Sequence, residues 1–375
     1  MDVPLRAPGA PGRWRLRDPQ DGALALPAGR RHGLLVMDLN DPDVQQRIAR
    51  FMASQSGRAV PRVALATQLS GGTLQENWRL DLQWPDDGHT GAYVVRTTGV
   101  SGIGGSATRA QEHAVLRSVA AAGVTVATPR AVCTDAQVAG SEFLVTDFVQ
   151  GTAAPQRILR DAQAFGWGPS LAFRLGQELA RLHRVRADAA LEFLPPPEQG
   201  TALGLVAQYR HYLDTLDHAH PTLEWALRWL EAHAPAPQTT VLCHGDFRTG
   251  NYLVHEGTLS AVLDWELAHW GQPFADMGWL CTRFWRFGAH DKAVGGLAGR
   301  DVLYDGFESE GGTRPSPDAA HYWEVMANVR WAVISLQQAQ RHLSGREPSL
   351  ELALIGRQTC EMELEALDLI EHGPT

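Results

Sequence analysis

The sequence predicts an α+β protein of two lobes, a small antiparallel-sheet lobe followed by a mainly helical lobe. A chain of 375 residues is long enough for two packed lobes and a large buried core. Strand-like apolar segments lie mostly before residue 150, whereas apolar residues recur at helical spacing over most of the later chain. We expect residues 1–60 to form an N-terminal extension with one helix, residues 61–147 the sheet lobe, and residues 148–375 the helical lobe.

Capping and turn residues predict the elements of the first lobe. Asp41 followed by Pro42 is typical of a helix N-terminus and starts a helical pattern over residues 40–53, which we expect to pack on the sheet lobe. Glycine-bearing residues 70–77 separate two strand-like segments and predict a strand–turn–strand unit. The predicted strands are 65–69, 78–82, 92–96 and 143–149, and a helix is predicted at 108–121.

The second lobe is predicted to be built from long helices. A stripe of leucines every three or four residues places residues 171–185 against a core, and His183 in this segment is interpreted as a packed structural histidine. Prolines at 195–197 mark a loop inside this lobe. Further helical patterns cover residues 203–213, 222–232, 322–343 and 352–369.

A short polar motif followed by a hairpin pattern carries the chemistry. Residues 244–251 read His-Gly-Asp-Phe-Arg-Thr-Gly-Asn, and two apolar runs around a turn at residues 256–258 predict a β-hairpin after them. Folding about that turn brings Asn251 and Asp264 to the same open end. An amide oxygen beside a carboxylate suits Mg²⁺, which takes few protein ligands and shares the rest with phosphates. Asp246, one loop upstream, is then placed to accept a hydroxyl proton, as phosphoryl transfer requires.

These residues resemble a known family. H-G-D-x-x-x-x-N followed by D-W-E is similar to the aminoglycoside phosphotransferase/choline kinase-type group of small-molecule kinases, which have a protein-kinase-like fold. The strings CHGDFRTGN and VLDWELAHWGQP resemble its bacterial branch, which includes kinase-like domains beside or fused to acyl-CoA dehydrogenases. The resemblance implies ATP and Mg²⁺ as cofactors and a functional link to an acyl-CoA dehydrogenase. It implies a small-molecule hydroxyl acceptor, either a hydroxyacyl-CoA or an aminoglycoside-like molecule.

The resemblance also implies a cation that holds the nucleotide phosphates on the third strand. Kinases usually place a lysine there, but the only lysine in this chain is Lys292. Arg96 occupies the matching position, and a guanidinium can bind phosphate with two donors. Glu112 matches the helix glutamate that pairs with this cation. The alternative is a surface arginine that ends a strand and an exposed glutamate on a helix.

Further site residues follow from their positions in the family pattern. Gly71, Gly72, Thr73 and Asn77 belong to the turn that would cover the phosphates, and Thr146 and Phe148 lie in the segment that resembles the hinge beside adenine. Arg248 would contact the γ-phosphate or the acceptor, unless it forms a loop-stabilising ion pair. Glu266 would support a second metal ion or its water.

The helical region after Asp264 is where members of the family differ to fit their substrates. It contains Trp279, Arg283, Arg286 and Arg330, of which Arg283 and Arg286 would bind a phosphate or carboxylate of the substrate or remain solvated. Asp276 is interpreted as a structural residue that caps the helix after it.

Composition and charge exclude several classes of function. A net charge of -9 without a basic tract argues against nucleic-acid binding. Four widely separated cysteines predict neither a disulfide framework nor a zinc site. The chain has no apolar run of membrane-spanning length and no secretory pattern in residues 1–31, so we expect a cytoplasmic protein that binds no membrane.

Two alternative functions remain open from the sequence. Residues 102–107 match G-x-G-x-x-A, but five residues separate them from the preceding strand and no second βαβ unit follows, which disfavours a dinucleotide-binding oxidoreductase. The missing lysine favours a nucleotide-binding pseudokinase that acts as a regulatory partner. The joint presence of Asp246, Asn251 and Asp264 favours an active enzyme.

Overall fold

An antiparallel five-stranded sheet forms the first lobe, with strand order β1-β2-β3-β5-β4. The computed structural model describes residues 37–69, 77–97, 107–236, 239–345 and 347–373. The glycine-bearing turn, except Asn77, and residues 102–106 lie outside these ranges, so neither prediction is addressed by the structure. The strands are β1 (Arg62–Gln68), β2 (Asn77–Gln83), β3 (Thr90–Thr97), β4 (Pro129–Cys133) and β5 (Phe143–Asp147).

Helix α1 (Pro42–Ser56) precedes the sheet and packs on it. Asp41 caps its N-terminus by accepting a hydrogen bond of 2.9 Å from Asp43 N, and Pro42 occupies the first turn, as predicted. Val44 and Ile48 from this helix share one buried cluster with Leu80 and other residues of the sheet. The first helix is therefore part of the apolar core of the sheet lobe.

Helix α2 (Arg109–Ala121) lies between β3 and β4 in the chain and begins at a capping box. The Thr108 side chain accepts from Gln111 N, and the Gln111 side chain accepts from Thr108 N, so the N-terminus of the helix is fixed. Glu112, in the first turn, is 1% exposed. The capping box thus fixes the turn of the helix that carries this buried carboxylate.

The second lobe is mainly helical and contains one large buried apolar cluster. Each predicted helical segment of this lobe is present, except that residues 352–369 form two helices instead of one, and three further helices among the described residues lie outside those segments. The four-residue helix α3 (Ala136–Ala139) still belongs to the sheet lobe. The later helices are α4 (Pro155–Phe165), α5 (Gly168–Leu182), α6 (Ala202–Asp214), α7 (Pro221–Ala232), α8 (Ala275–Cys281), α9 (Arg300–Ser309), α10 (Pro317–Leu343), α11 (Leu350–Gly356) and α12 (Thr359–His372).

The predicted hairpin is present in the second lobe, formed by β7 (Tyr252–His255) and β8 (Thr258–Val262). Glu256 and Gly257 between them have φ values of 49° and 76°, the left-handed conformations that a two-residue type I′ turn needs. At the open end Leu263 N donates to Asn251 O at 2.8 Å. Asn251 and Asp264 therefore leave the hairpin at the same end.

Two short strands, β6 (Val241–Cys243) and β9 (His269–Gly271), flank the hairpin in the sequence and pair with each other. Residues 244–251 begin directly after β6, and residues 264–268 lie directly before β9. This pairing brings the two loops that carry the predicted site residues together. No helix among the described residues is long and apolar enough to span a membrane.

Candidate active site

The loop that contains Asp246 is held by its backbone. The carboxylate of Asp276 accepts hydrogen bonds from His244 N at 2.6 Å and from Gly245 N at 3.0 Å. Gly245 has a φ of 83°, and a Cβ atom there would lie 2.2 Å from Leu267 O, so only glycine fits this position. Asp276 lies in the first turn of α8 and does not cap it, which corrects the role predicted for it.

His244 links this loop to the segment that leads to Asp264. Its Nδ1 accepts a hydrogen bond of 3.1 Å from Asp246 N, so the proton is on Nε2, which donates to Leu263 O at 2.7 Å. The ring is fully buried. One imidazole therefore sets the spacing between the loop of Asp246 and the end of the hairpin.

The Asp246 carboxylate accepts hydrogen bonds from three side chains. Arg248 Nε lies 3.0 Å from Oδ1 and 3.2 Å from Oδ2, Asn251 Nδ2 donates to Oδ2 at 2.5 Å, and Trp279 Nε1 donates to Oδ1 at 2.7 Å. Arg248 thus forms the ion pair that was the alternative to a substrate contact, and its guanidinium stacks 4.4 Å from the centre of the Trp285 ring. The carboxylate is fixed in orientation.

Asn251 and Asp264 supply oxygen atoms suited to Mg²⁺. The Asn251 amide nitrogen faces Asp246, so its amide oxygen is the atom that would bind a metal ion. Asp264 has a left-handed backbone (φ 65°), and about a third of its side chain (35%) is exposed. Among the described residues, no three His, Cys, Asp or Glu side chains converge on a metal site. Two oxygen donors fit an ion that completes its coordination with phosphates and water.

Arg96 lies among three carboxylates. Its Nη2 donates to Asp264 Oδ1 at 2.5 Å and lies 3.8 Å from Glu266 Oε2, while its Nε lies 3.4 Å from Glu112 Oε1. The side chain is 16% exposed and therefore does not point into solvent. The structure thus pairs Arg96 with Glu112, as expected, and adds Asp264.

This arrangement shifts the pKa values of two carboxyl groups in opposite directions. Burial alone would raise the pKa of Asp264, but the adjacent Arg96 guanidinium outweighs it and lowers that pKa. Burial raises the pKa of Glu266, and the negative charge of Asp264 raises it further. Asp264 is therefore held ionised, as a metal ligand must be.

The sequence of this chain matches the profile of a known protein family. The profile of the phosphotransferase enzyme family (APH) matches residues 66–309, more than half of the chain. The chain belongs to this family. The match covers most of the sheet lobe, the loop of Asp246, the hairpin and helix α8.

Individual relatives add detail. Acyl-CoA dehydrogenase family member 10 of Mus musculus is 31% identical over 184 residues, which are 47% of this chain and 17% of that protein. A candidate aminoglycoside phosphotransferase from Ralstonia eutropha has a similar structure, with a TM-score of 0.64 at 21% identity over 86% of this chain and 96% of that one. A thermostable mutant of aminoglycoside phosphotransferase APH(4)-Ia with ADP and hygromycin B gives a TM-score of 0.53 at 16% identity over 85% and 98%.

These likenesses establish a kinase-like, two-lobed α+β fold. The chain spans less than a third of the length of the mouse dehydrogenase relative that it matches. The dehydrogenase relatives carry this phosphotransferase family domain as one part of a longer protein.

The end of strand β5, in the segment predicted to resemble the hinge, differs from the prediction. Strand β5 ends at Asp147 instead of residue 149, and Phe148 N donates to Ala92 O at 2.9 Å. This contact occupies the N–H of Phe148 within the sheet lobe, and the assignment of Thr146 and Phe148 to the adenine site stays a prediction. Thr146 lies within β5, opposite Val94. Asn77 begins β2 directly opposite Arg96.

Three residues of the site were not assigned there from the sequence. Arg109 ion-pairs with Glu112 and lies 3.5 Å from Glu266, so it joins helix α2 to the loop after Asp264. Its spacing of three residues from Glu112 on a helix was the available signal. Trp279 and Arg330 contact residues 245–246, and the i, i+3 spacing of Trp279 from Asp276 was the only sequence sign.

The two arginines considered for binding an acidic group have partners inside the protein. Arg286 is 1% exposed and donates to Cys281 O and His290 O. Arg283 lies 3.8 Å from Glu365. Arg286 is therefore part of the core, whereas the Arg283 side chain is 45% exposed.

Proposed function

We propose that this protein transfers the γ-phosphoryl group of ATP to a hydroxyl group of a small molecule, with Mg²⁺. The observation that carries the proposal is the direct hydrogen bond between Asn251 and Asp246, with Asp264 at the same end of the hairpin as Asn251. A carboxylate able to accept a proton thus lies next to the two oxygen donors suited to a metal–phosphate group. Relatives by fold include a phosphotransferase bound to ADP, which supports ATP as the donor.

Each residue has a defined task in this proposal. The acceptor hydroxyl approaches Asp246, which takes its proton while the acceptor oxygen bonds to the γ-phosphorus and the bond to the β-phosphate oxygen breaks. Asn251 and Asp264 hold Mg²⁺, which when bound neutralises charge on the phosphates. Arg96, oriented by Glu112, holds the nucleotide phosphates through the donors that it does not use within the protein. Glu266, facing Arg96 and Arg109, supports this group or the water of a second ion.

We further propose that the acceptor is linked to acyl-CoA metabolism, with a hydroxyacyl-CoA as the leading candidate. The curated relatives are acyl-CoA dehydrogenase family members, which supports a functional link to such an enzyme. Arg248 and Arg330 both lie within hydrogen-bonding distance of residues 245–246. Two cations beside the proposed base favour an acceptor with negative charge over a polycationic aminoglycoside.

A panel of hydroxyl acceptors tests this proposal. ATP-to-ADP turnover is measured with Mg²⁺ and hydroxyacyl-CoA esters, hygromycin B or spectinomycin, and the phosphorylated product is identified by mass spectrometry. Turnover stimulated by a hydroxyacyl-CoA supports the acceptor class, and stimulation by the antibiotics alone contradicts it. A lack of ATP turnover with every acceptor would contradict the enzymatic function itself.

One observation favours a second candidate, a nucleotide-binding pseudokinase with a regulatory role. Arg96 replaces the usual lysine, and it binds Asp264, the residue that a metal ion would need. If Arg96 stays bound there when nucleotide is present, the protein would bind nucleotide without turnover. ATP binding measured by calorimetry, together with a negative acceptor panel, would support this candidate.

A further inference from the structure

Helix α8 contacts the loop of Asp246 through two side chains one helical turn apart. Asp276 accepts from the backbone N–H groups of His244 and Gly245, and Trp279 donates to the Asp246 carboxylate itself at 2.7 Å. Helix α10 completes the arrangement, since Arg330 Nη2 donates to Gly245 O at 2.5 Å. The same Arg330 guanidinium stacks 4.5 Å from the centre of the Trp279 ring. The indole is therefore held by a cation that also holds the loop.

The position of Trp279 depends on the close approach of these two helices. Trp279 is 2% exposed and packs against Trp285 and Trp331, with ring centres 5.4 Å and 6.0 Å away. A Cβ atom at Gly278 would lie 2.4 Å from Trp323 O on α10, so the glycine lets α8 approach the backbone of α10. Neither the ring nor its helix can move without disturbing the core.

The three side chains that donate hydrogen bonds to Asp246 differ in how easily an incoming group can displace them. A carboxylate offers about four lone-pair positions, and here Trp279 and Arg248 face Oδ1 while Asn251 and Arg248 face Oδ2. Trp279 and Asn251 are 2% and 7% exposed, whereas the Arg248 side chain is 25% exposed and divides one N–H between both oxygens. An incoming hydroxyl can therefore displace Arg248 far more easily than the two buried donors.

We propose that Trp279 is a positioning residue for phosphoryl transfer: its indole N–H holds Asp246 Oδ1 while the acceptor hydroxyl takes the place of Arg248. Trp279 and Asn251 then hold one oxygen each, so the carboxylate cannot rotate when the arginine leaves. The released guanidinium is free to meet the negative charge of the γ-phosphate or the acceptor. This inference rests on the proposed function, because it assigns Asp246 to the acceptor hydroxyl.

The test combines one spectroscopic and one kinetic measurement. Nitrogen-15 labelling gives indole N–H signals for the 12 tryptophans, and the signal missing from Trp279→Phe identifies Trp279. We expect slow exchange of this proton with D₂O in the wild type and faster exchange in Asp246→Ala. ATP hydrolysis with water as the acceptor should show a kcat about 10- to 100-fold lower in Trp279→Phe, with a KM for ATP within twofold, because a hydrogen bond to a charged group is lost.

Trp331→Phe is the matched control. Trp331 belongs to the same aromatic cluster, but its Nε1 has no hydrogen-bond partner, so this variant removes an indole without removing a bond to Asp246. We expect its kcat to stay within threefold of the wild type. Equal kcat values for Trp279→Phe and Trp331→Phe would overturn the inference. If the wild type turns over no ATP with water or with any acceptor of the panel, the proposed function fails. Exchange of the Trp279 proton that is unaffected by Asp246→Ala overturns this inference separately.

Discussion

Arg96 Nη2 on strand β3 donates a hydrogen bond to Asp264 Oδ1, the carboxylate that follows strand β8, at 2.5 Å. These residues are 168 positions apart in the chain and belong to different lobes. The same guanidinium faces Glu112 on helix α2. One side chain thus contacts both the helix glutamate and the proposed metal ligand, so the state of the metal site is coupled to the sheet lobe.

Substitution of Arg96 tests this coupling first. Arg96→Ala should weaken ATP binding and lower turnover together, because the phosphates would lose their cation and three carboxylates lose a partner. Arg96→Lys should retain partial function, since an ammonium still reaches the phosphates without the two-donor geometry of a guanidinium. Calorimetric Kd values for ATP and steady-state kcat values check this. An alanine variant with unchanged Kd would show that Arg96 serves only the protein's own ion pairs.

Asp264→Asn should abolish Mg²⁺-dependent turnover while shifting Tm by less than about 4 °C. The asparagine can still accept a hydrogen bond from Arg96, and a third of the native side chain is exposed, so the fold loses little. Turnover is measured over a Mg²⁺ titration, with Asp161→Asn on helix α4 as a control for removal of one carboxylate charge. Near wild-type activity at limiting Mg²⁺ would contradict the assignment.

Asp246→Ala should lower turnover by several orders of magnitude while the Kd for ATP changes little. The reason is that Asp246 is assigned to the acceptor hydroxyl and not to the phosphates. Nucleotide affinity from calorimetry and single-turnover rates separate the two effects. Loss of ATP binding without a separate effect on the chemical step would mean that the role of Asp246 is different.

The buried side chain of His183 makes the free energy of unfolding depend on pH. Burial lowers the pKa of His183 from 6.5 to about 4, so the folded protein keeps it neutral while the unfolded chain takes up a proton as the pH falls. Stability is therefore lost on acidification from about pH 6.5 towards pH 4, by about 2 kcal/mol between pH 7 and pH 5. Urea unfolding at the two pH values measures this loss. In His183→Gln the loss should be smaller by that amount, and an unchanged difference would exclude His183 as its source.

Gly278→Ala should destabilise the protein by about 2 kcal/mol and lower turnover with it. The new methyl group would lie 2.4 Å from Trp323 O, which forces α8 away from α10. Gly299→Ala is the control, because a Cβ atom there meets nothing within 4 Å, and it should cost less than about 1 kcal/mol. Chemical denaturation measures the free energy of unfolding of both variants. Equal values for Gly278→Ala and Gly299→Ala would contradict the packing argument.

Local patterns predicted most of the fold. The cap at Asp41, the turn at Glu256–Gly257 and the leucine stripe of α5 depend on residues close in the chain, and each appears where expected. The predicted single helix over residues 352–369 is wrong, because the helix is interrupted between α11 and α12. No proline in that segment indicates where α11 ends. The short helices α4 and α9 were not predicted, and α8 was predicted only as a helix after Asp276, without bounds.

The site was predictable where it follows a linear motif. Asn251 and Asp264 converge because a hairpin lies between them, and that hairpin is visible in the sequence. The contacts of Trp279, Arg330 and Asp276 were not predictable, since they depend on how α8 and α10 pack against a loop that is 31 to 85 residues away. The use of the Phe148 N–H by Ala92 likewise depends on pairing between β3 and the end of β5.

The guanidinium at position 96 determines which reagents can report on this protein. Covalent probes that acylate a kinase's nucleotide-site amine need a lysine that can lose its proton, and an arginine remains protonated and offers no such nucleophile. The single lysine, Lys292, lies in the loop before α9. Amine-reactive ATP analogues are therefore expected to leave position 96 unlabelled, whether or not nucleotide binds beside it.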